Sequence, residues 1–381
     1  VLAQAGWQLQ GTVHDTMTTA RLLDSTLLPS QFSLDECASR IGYRKLDVVR
    51  EWCLKNKAYT EVQVEGKKSK EKRLHHLRVA LFHPLKGLGD AYDSAVVGSF
   101  VRKSILPRHL ALYVGRPEVM PLARRFRFQG RSVFDQVLVW DKRSWKHGAS
   151  QEKPKWDVFL DWRTYAGRVY YLSEELPAEL GTLEELSFEQ PFSEETNALA
   201  GLGRTVHEIA ADTMGLDAES LDEVSVEIPE KDEVRKHLQR ILPERFITLS
   251  NGSDLGISSR TRQTKEWSEK SWETVVRNVR SSCSAEVVQI GKKEEGRIEG
   301  CISLLGETTL DELLWVLSRS ILHLSVENGT VRLARAAGTR SVVVFGPTSP
   351  SLYALEGNES VSSGMCPPCC WTTPEWATQC S

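Results

Sequence analysis

Residues 321–345 read ILHLSVENGTVRLARAAGTRSVVVF, and their alternation of apolar and polar segments indicates the fold class. The apolar run over 321–326 predicts a buried strand, and a polar turn follows it. Residues 330–337 predict a helix, and 341–345 form a second apolar run. A strand, a helix and a second strand of these lengths predict a βαβ unit, in which the helix crosses over between two parallel strands.

The same alternation of strands and helices extends towards the N-terminus. Further predicted strands are 77–83, 109–114, 136–140, 156–161, 246–250 and 285–290. Further predicted helices are 91–104, 117–126, 269–279 and 309–318. Continuous apolar runs are typical of parallel strands that are buried on both faces. We therefore expect an α/β protein with two parallel-sheet domains, whose ligands bind at the carboxyl ends of the strands.

The chain divides into four predicted parts. These are a helical, winged-helix-like module (1–75), a first Rossmann-like domain (76–231), a second one (232–360) and a Cys-rich finger (361–381). In the first part, Ser33 and Glu36 predict a capped helix, and residues 59–64 alternate like a strand. The acidic stretch 182–232 is predicted to contain helices and loops and to end in a linker that begins at Pro229.

The composition is that of an ordinary globular protein. The 381 residues are 40% hydrophobic and 26% charged, and the formal net charge is -3. A near-neutral chain lacks the positive field typical of nucleic-acid binding, so the winged-helix-like module favours packing or oligomerisation over DNA binding. The sequence lacks a run of about 18 apolar residues and an N-terminal signal pattern. We expect a cytoplasmic protein without a transmembrane segment or a nucleic-acid partner.

Three loops at predicted strand ends carry the candidate chemistry. The first contains Gly87, Gly89 and Asp90, just before a helix. Glycines let the backbone approach a ligand closely, and a helix N-terminus favours negative charge. Asp90 is either a general base or a helix cap, and its spacing alone favours the cap.

The second loop, residues 264–267, contains Lys265, which can hold a phosphate as a point charge; a solvated loop is the alternative. The third loop runs from Glu327 to Thr330. Backbone amides of residues 329–331 would form a pyrophosphate site at a helix N-terminus, and Glu327 could accept hydrogen bonds from sugar or ribose hydroxyls. An ordinary βα turn is the alternative there.

Taken in this order, the loops resemble those of the heptosyltransferase-like glycosyltransferase family 9. The likeness covers about residues 77–380 and implies a GT-B fold, in which two Rossmann-like domains face a cleft. It rests on Gly89-Asp90, Thr264-Lys265-Glu266-Trp267, Gln289-Ile290-Gly291, the 305–310 segment and Phe345-Gly346-Pro347-Thr348-Ser349-Pro350.

The resemblance implies inverting sugar transfer from a nucleotide diphosphate donor, ADP-heptose. Asp90 would deprotonate the acceptor hydroxyl, and Lys265 would offset charge on the leaving diphosphate. The implied donor-binding residues are Gly87, Gly89, Thr264, Lys265, Trp267, Glu327, Asn328, Gly329 and Thr330. The family's Asp-Ser-Gly-x-x-His stands here as Glu327 to Arg332, which leaves the donor sugar open. Arg332 either adds charge near the diphosphate or forms a surface pair.

Four cysteines crowd the C-terminus: Cys366, Cys369, Cys370 and Cys380. Their spacing favours a tetrahedral structural metal, iron or zinc, over a disulfide in a cytosolic chain. A similar tail in autotransporter heptosyltransferases implies an iron finger, a homo-oligomer and a protein acceptor of the autotransporter or adhesin type. The alternatives are transfer to lipopolysaccharide core and a non-catalytic, sugar-nucleotide-sensing DNA-binding regulator.

Overall fold

The computed structural model describes thirteen stretches of the chain. They are residues 60–62, 71–73, 77–83, 87–140, 156–162, 165, 167–171, 199–200, 202–218, 224–229, 232–252, 264–363 and 368–370. The chain forms two compact units, residues 1–72 and 73–381. Strands β1 (Thr60–Val62) and β2 (Glu71–Arg73) form a two-stranded sheet, which agrees with the strand predicted at 59–64. The other predictions for residues 1–75 lie outside the described residues.

The first large sheet has five strands in the order β7-β4-β3-β8-β9. Its strands are β3 (Arg78–Phe82), β4 (His109–Val114), β7 (Gln136–Val139), β8 (Val158–Asp161) and β9 (Arg168–Tyr171). The first four are parallel and β9 pairs antiparallel with β8. The apolar side chains from Val79 to Phe82 are fully buried, as continuous apolar strands predict.

The second large sheet has six parallel strands in the order β13-β12-β11-β14-β15-β16. They are β11 (Phe246–Ser250), β12 (Glu286–Gln289), β13 (Ile302–Ser303), β14 (His323–Val326), β15 (Ser341–Val344) and β16 (Glu359–Val361). Strands β14 and β15 form the predicted βαβ unit. The two predicted parallel sheets are therefore present.

Eight α-helices are described in the second unit. They are α1 (Leu88–Ser104), α2 (Met120–Ala123), α3 (Val206–Met214), α4 (Asp232–Ile241), α5 (Glu269–Ser282), α6 (Leu310–Arg319), α7 (Gly329–Ala336) and α8 (Pro350–Tyr353). We call the five-stranded sheet with α1 to α3 the N-terminal lobe, and the six-stranded sheet with α4 to α8 the C-terminal lobe. None of the helices in the described residues is long and apolar enough to cross a membrane.

Two predictions of secondary structure were wrong. The helix predicted over 117–126 is a 3-10 turn (Pro117–Val119) followed by the four-residue α2, and the chain then enters strand β5 (Phe126–Phe128). The predicted helices and loops before Pro229 include strand β10 (Val224–Val226). Both strands arise because β5 pairs antiparallel with β10 and with β6 (Arg131–Ser132), a contact that local sequence does not reveal.

The charged run after Pro229 is also a helix, α4, and not a linker. Val234 and Leu238 are one turn apart, which gives this charged segment an apolar edge. Leu238 is buried, and α4 packs against α6. Helix formation here therefore depends on a few apolar positions within a polar sequence.

Helix α1 is buried along most of its length, which is unusual for a helix at the surface of a sheet. It packs against β4 on one side and contacts α3 and α7 on the other. Because α7 belongs to the C-terminal lobe, α1 forms part of the contact between the two lobes.

Candidate active site

The N-termini of α1 and α7 cross at two glycines. A Cβ atom built on Gly329 would lie 2.9 Å from the Gly89 nitrogen, and one built on Gly89 would lie 3.0 Å from the Gly329 Cα. Neither position has room for a side chain. The sequence predicted that Gly89 allows the backbone to approach a ligand closely; in this structure Gly89 and Gly329 allow the two helix backbones to approach each other.

Asp90 lies in the first turn of α1, beside this crossing. Its Oδ2 atom accepts a hydrogen bond from the Gly87 N–H at 2.7 Å, so the residue caps the helix as the spacing favoured. Its Oδ1 atom has no hydrogen-bond partner among the described residues. Burial raises the pKa of Asp90 from 3.8 to about 6, even though the Gly87 N–H and the nearby Arg332 and Lys265 act in the opposite direction.

Glu327 follows β14 and lies between two cations. Its Oε2 atom accepts from Lys265 Nζ at 2.5 Å, and its Oε1 atom accepts from Arg332 Nη1 at 2.8 Å. Burial opposes ionisation of this carboxyl, but the two cations outweigh burial and lower its pKa. Both oxygens are thus engaged in ion pairs, and the contact with sugar or ribose hydroxyls stays a prediction.

Arg332 is buried and does not form the surface pair that was one of its two predicted roles. Its Nε donates to both carboxylate oxygens of Asp93, at 3.0 and 2.9 Å. Asp93 also lies 2.8 Å from His207 Nε2 on α3. Burial opposes ionisation of Asp93, but Arg332 and His207 outweigh it and lower its pKa to about 2.

His83, at the end of β3, supports the first turn of α1. The Ser94 hydroxyl donates to the Asp90 carbonyl oxygen at 2.7 Å, and His83 Nδ1 lies 2.6 Å from the same hydroxyl. Because the Ser94 proton is already used, His83 Nδ1 is the donor. Burial lowers the pKa of His83 to about 3, so the ring is neutral.

The remaining residues of the third loop have structural partners. Asn328 caps α7 by accepting from the Thr330 N–H at 2.9 Å, and it donates to the Gly252 carbonyl oxygen at 2.7 Å. The Thr330 hydroxyl contacts Asn328 Oδ1 and His323 Nε2. The Thr330 amide, one of the three expected to point at a pyrophosphate, is therefore already bonded in this structure.

The second loop is fixed at both ends. Asn251 donates to the Trp267 carbonyl oxygen at 3.0 Å and accepts from the Trp267 N–H at 3.1 Å, and the Trp267 indole stays exposed. At the other end, a Cβ on Gly346 would lie 3.2 Å from the Thr264 carbonyl oxygen. The Phe-Gly-Pro-Thr segment thus packs on the loop that carries Lys265.

Glu295 is a candidate residue that sequence reasoning missed. Its carboxyl group lies against Gly252 and Gly291, at the carboxyl ends of β11 and β12, where a Cβ on either glycine would overlap it. Its Oε1 atom accepts from the Lys292 N–H at 2.9 Å, and the Gly252 N–H also interacts with the carboxyl group. Within the part of the chain that is described, the buried Oε2 atom has no hydrogen bond of regular geometry. Burial raises its pKa.

The other missed residues are Asp93 and His207. Asp93 could have been noticed because it lies one turn after Asp90, on the same helix face. His207 gives no local signal, since only the folded chain brings α3 to α1.

The cysteine tail reaches the same region. The N–H groups of Cys369 and Cys370 both donate to the Pro347 carbonyl oxygen at 2.9 Å. Cys370 hydrogen-bonds to Tyr353, whose hydroxyl donates to Tyr165 of the N-terminal lobe at 2.8 Å. Cys366 and Cys380 lie outside the described residues, and the described ranges contain no group of three or more His, Cys, Asp or Glu that could hold a metal.

Comparisons with known proteins address the family. The model of glycosyltransferase family 9 (heptosyltransferase) matches residues 204–369. Among curated proteins, none matches the sequence.

Solved structures with a similar fold include a glycosyl transferase family 9 protein from Veillonella parvula (15% identity, 76% of this chain and 86% of that one, TM-score 0.51). They also include the iron-containing dodecameric glycosyltransferase TibC from enterotoxigenic E. coli (15% identity, 84% and 72%, TM-score 0.53). TibC in complex with ADP-D-beta-D-heptose matches at 13% identity over 84% and 72%, with a TM-score of 0.50.

The structural likenesses support the α/β architecture with parallel sheets, consistent with the GT-B fold. Residues 204–369 match the model of the glycosyltransferase family 9 (heptosyltransferase), and this match supports a glycosyltransferase with a nucleotide-sugar donor.

Proposed function

We propose that the protein transfers heptose from ADP-heptose to a hydroxyl of a protein acceptor by direct inverting displacement. The observation that carries this proposal is the placement of Asp90 beside the Lys265 and Glu327 pair, at the point where the lobes meet. One lobe supplies a carboxylate with a raised pKa, and the other supplies a cation for a leaving group.

Asp90 is suited to act as the general base. Its Oδ2 is fixed by the Gly87 N–H, and its Oδ1 is available to accept the proton of an attacking hydroxyl. A pKa near 6 lies close to neutral pH, where a base is both ionised and able to hold a proton. In the proposed step the acceptor oxygen bonds to the anomeric carbon, the bond to the diphosphate breaks, and Asp90 takes the proton.

Lys265 is suited to stabilise the leaving ADP. An ammonium group has three N–H donors, and only the one to Glu327 is used among the described residues. The other two donors can bind phosphate oxygens while Glu327 holds the side chain in place. This arrangement offsets charge as it develops on the diphosphate.

Glu295 is suited to recognise the nucleotide. A buried carboxylate oxygen without a partner is costly unless a ligand satisfies it. Its position at the carboxyl ends of β11 and β12 is where open α/β sheets bind their ligands. We therefore assign Glu295 to the ribose hydroxyls of the donor.

The Cys-rich tail is proposed to be a metal-binding finger, and the four parts predicted from the sequence (1–75, 76–231, 232–360 and 361–381) are proposed to be the domains of the chain. Cys369 and Cys370 are anchored on one turn at Pro347, which fits two ligands of a structural metal, with Cys366 and Cys380 as the others. Such a metal would order the tail beside the Lys265 loop. The homo-oligomer follows by analogy with the dodecameric TibC.

The test is incubation with ADP-heptose or another ADP-sugar and either an autotransporter adhesin or lipopolysaccharide core. We expect heptose on the adhesin with the wild type and none with Asp90→Ala. Transfer to lipopolysaccharide alone would reject the protein acceptor, and full activity of Asp90→Ala would reject the base. Unchanged metal content in a Cys366→Ser, Cys369→Ser double variant would reject the finger.

A further inference from the structure

A buried cluster of charges connects the two lobes. Asp93 belongs to α1 of the N-terminal lobe, and Arg332 and Glu327 belong to the C-terminal lobe. Arg332 contacts Asp93 through Nε and Glu327 through Nη1, so one guanidinium group bonds to both carboxylates. Lys265 is the last member of this series of ion pairs, because its Nζ donates to Glu327 Oε2.

We propose that Asp93 and Arg332 are positioning residues, which couple the docking of the two lobes to the assembly of the donor phosphate site. The proposal rests on the function proposed above, because it assigns the diphosphate to Lys265. Neither residue is required to touch the substrate.

The coupling follows from the order of the contacts. Asp93 holds the guanidinium group of Arg332 from the N-terminal lobe and fixes its plane. The fixed guanidinium then holds Glu327 Oε1, which directs Glu327 Oε2 at Lys265. Without Asp93, Arg332 would be a buried cation with a single partner, and it could turn away from this geometry.

His207 reinforces the cluster from α3. Its Nε2 atom contacts Asp93 Oδ1, the oxygen that also accepts from Arg332 Nε. The carboxylate is thus held from two elements and cannot rotate without losing a contact. Such a fixed carboxylate is suited to orient an arginine, whose planar fork requires a defined geometry.

A second ion pair between the lobes provides a matched control. Arg125 of the N-terminal lobe contacts Asp311 of α6 at 2.7 Å. Like Asp93 and Arg332, this pair joins the lobes, but its contact is neither to Glu327 nor to Lys265. If the Asp93 pair served only to hold the lobes together, neutralising Asp311 and neutralising Asp93 would have similar effects.

The experiment compares wild type, Asp93→Asn and Asp311→Asn by calorimetric titration with ADP and by donor kinetics. Asp93→Asn should weaken ADP binding and raise the donor KM by about tenfold, the typical size of coupling between sites. Asp311→Asn should stay within about twofold of wild type. Equal ADP affinity in the two variants would overturn the proposal.

Two further measurements keep the test decisive. Arg332→Lys preserves the charge needed for folding but lacks the planar guanidinium that holds Asp93 and Glu327 in one fixed geometry, so it should weaken ADP binding as Asp93→Asn does. Without ligand, hydrogen exchange of residues 264–268 should increase in Asp93→Asn but not in Asp311→Asn. This measurement does not depend on the donor, so it separates the two proposals. A wild type that fails to bind ADP would count against the proposed function. Unchanged hydrogen exchange in Asp93→Asn would count against the coupling.

Discussion

The pH dependence of transfer should report the ionisation of Asp90. A general base must be ionised, so kcat/KM should increase with pH as Asp90 loses its proton. With a pKa of about 6, only about one-tenth of the carboxyl is ionised at pH 5, and activity there should be about one-tenth of the plateau. A carboxyl at its ordinary pKa of 3.8 would show almost no change between pH 5 and 7.

The assay is ADP release at a donor concentration well below KM, where kcat/KM reports the free enzyme. Asp90→Asn should reduce kcat/KM by about 100-fold or more and abolish the acidic limb. Because the folded-state pKa is raised, ionisation of Asp90 destabilises the fold above pH 6 and not below pH 4. Loss of activity at pH 5 is thus not expected to accompany unfolding, which melting curves at each pH would check. A flat profile between pH 5 and 7 would refute the assignment.

Three further predictions concern the C-terminal lobe. Lys265→Ala should reduce kcat/KM for transfer by about 100-fold, since it removes a donor to the leaving group; a change below threefold would count against this role. Gly329→Ala should lower the free energy of unfolding by about 1–3 kcal/mol and impair transfer, because its Cβ would meet the Gly89 backbone. Gly296→Ala is the control, since its Cβ meets only the flexible end of the exposed Glu269 side chain. Glu295→Gln should weaken ADP binding about tenfold without lowering the melting temperature, since it removes a buried charge; unchanged ADP affinity would reject the ribose contact.

Much of the sheet architecture could be predicted because buried parallel strands have continuous apolar runs in their own sequence. The strands at 109–114 and 246–250 have the predicted bounds. Helix α6, predicted over 309–318, begins at Leu310, with the Thr309 side chain accepting from the Glu312 N–H in a capping box. Apolar runs and caps are local features, and local sequence therefore determines them.

The short strands could not be predicted, since their stabilisation is not local. Phe126 pairs with Val226, a hundred residues further along the chain. Neither three-residue segment is long enough to be distinguished from a turn by its own pattern.

The candidate site was predicted in its main residues but not in their interactions. The resemblance suggested Asp90, Lys265 and Glu327, whose proximity is a property of the fold. The sequence did not show that Arg332 is buried between Asp93 and Glu327, because an arginine after a βα turn is ordinarily exposed. Buried charge clusters are formed by contacts between lobes, which no single segment encodes.

A crystal structure of the protein with ADP-heptose would show whether Asp90 and Lys265 act on the same donor. The diphosphate should contact Lys265 Nζ, the ribose should contact Glu295, and the anomeric carbon should face Asp90 Oδ1. A nucleotide bound away from Lys265, or an Asp90 carboxylate directed away from the heptose, would contradict the proposed mechanism.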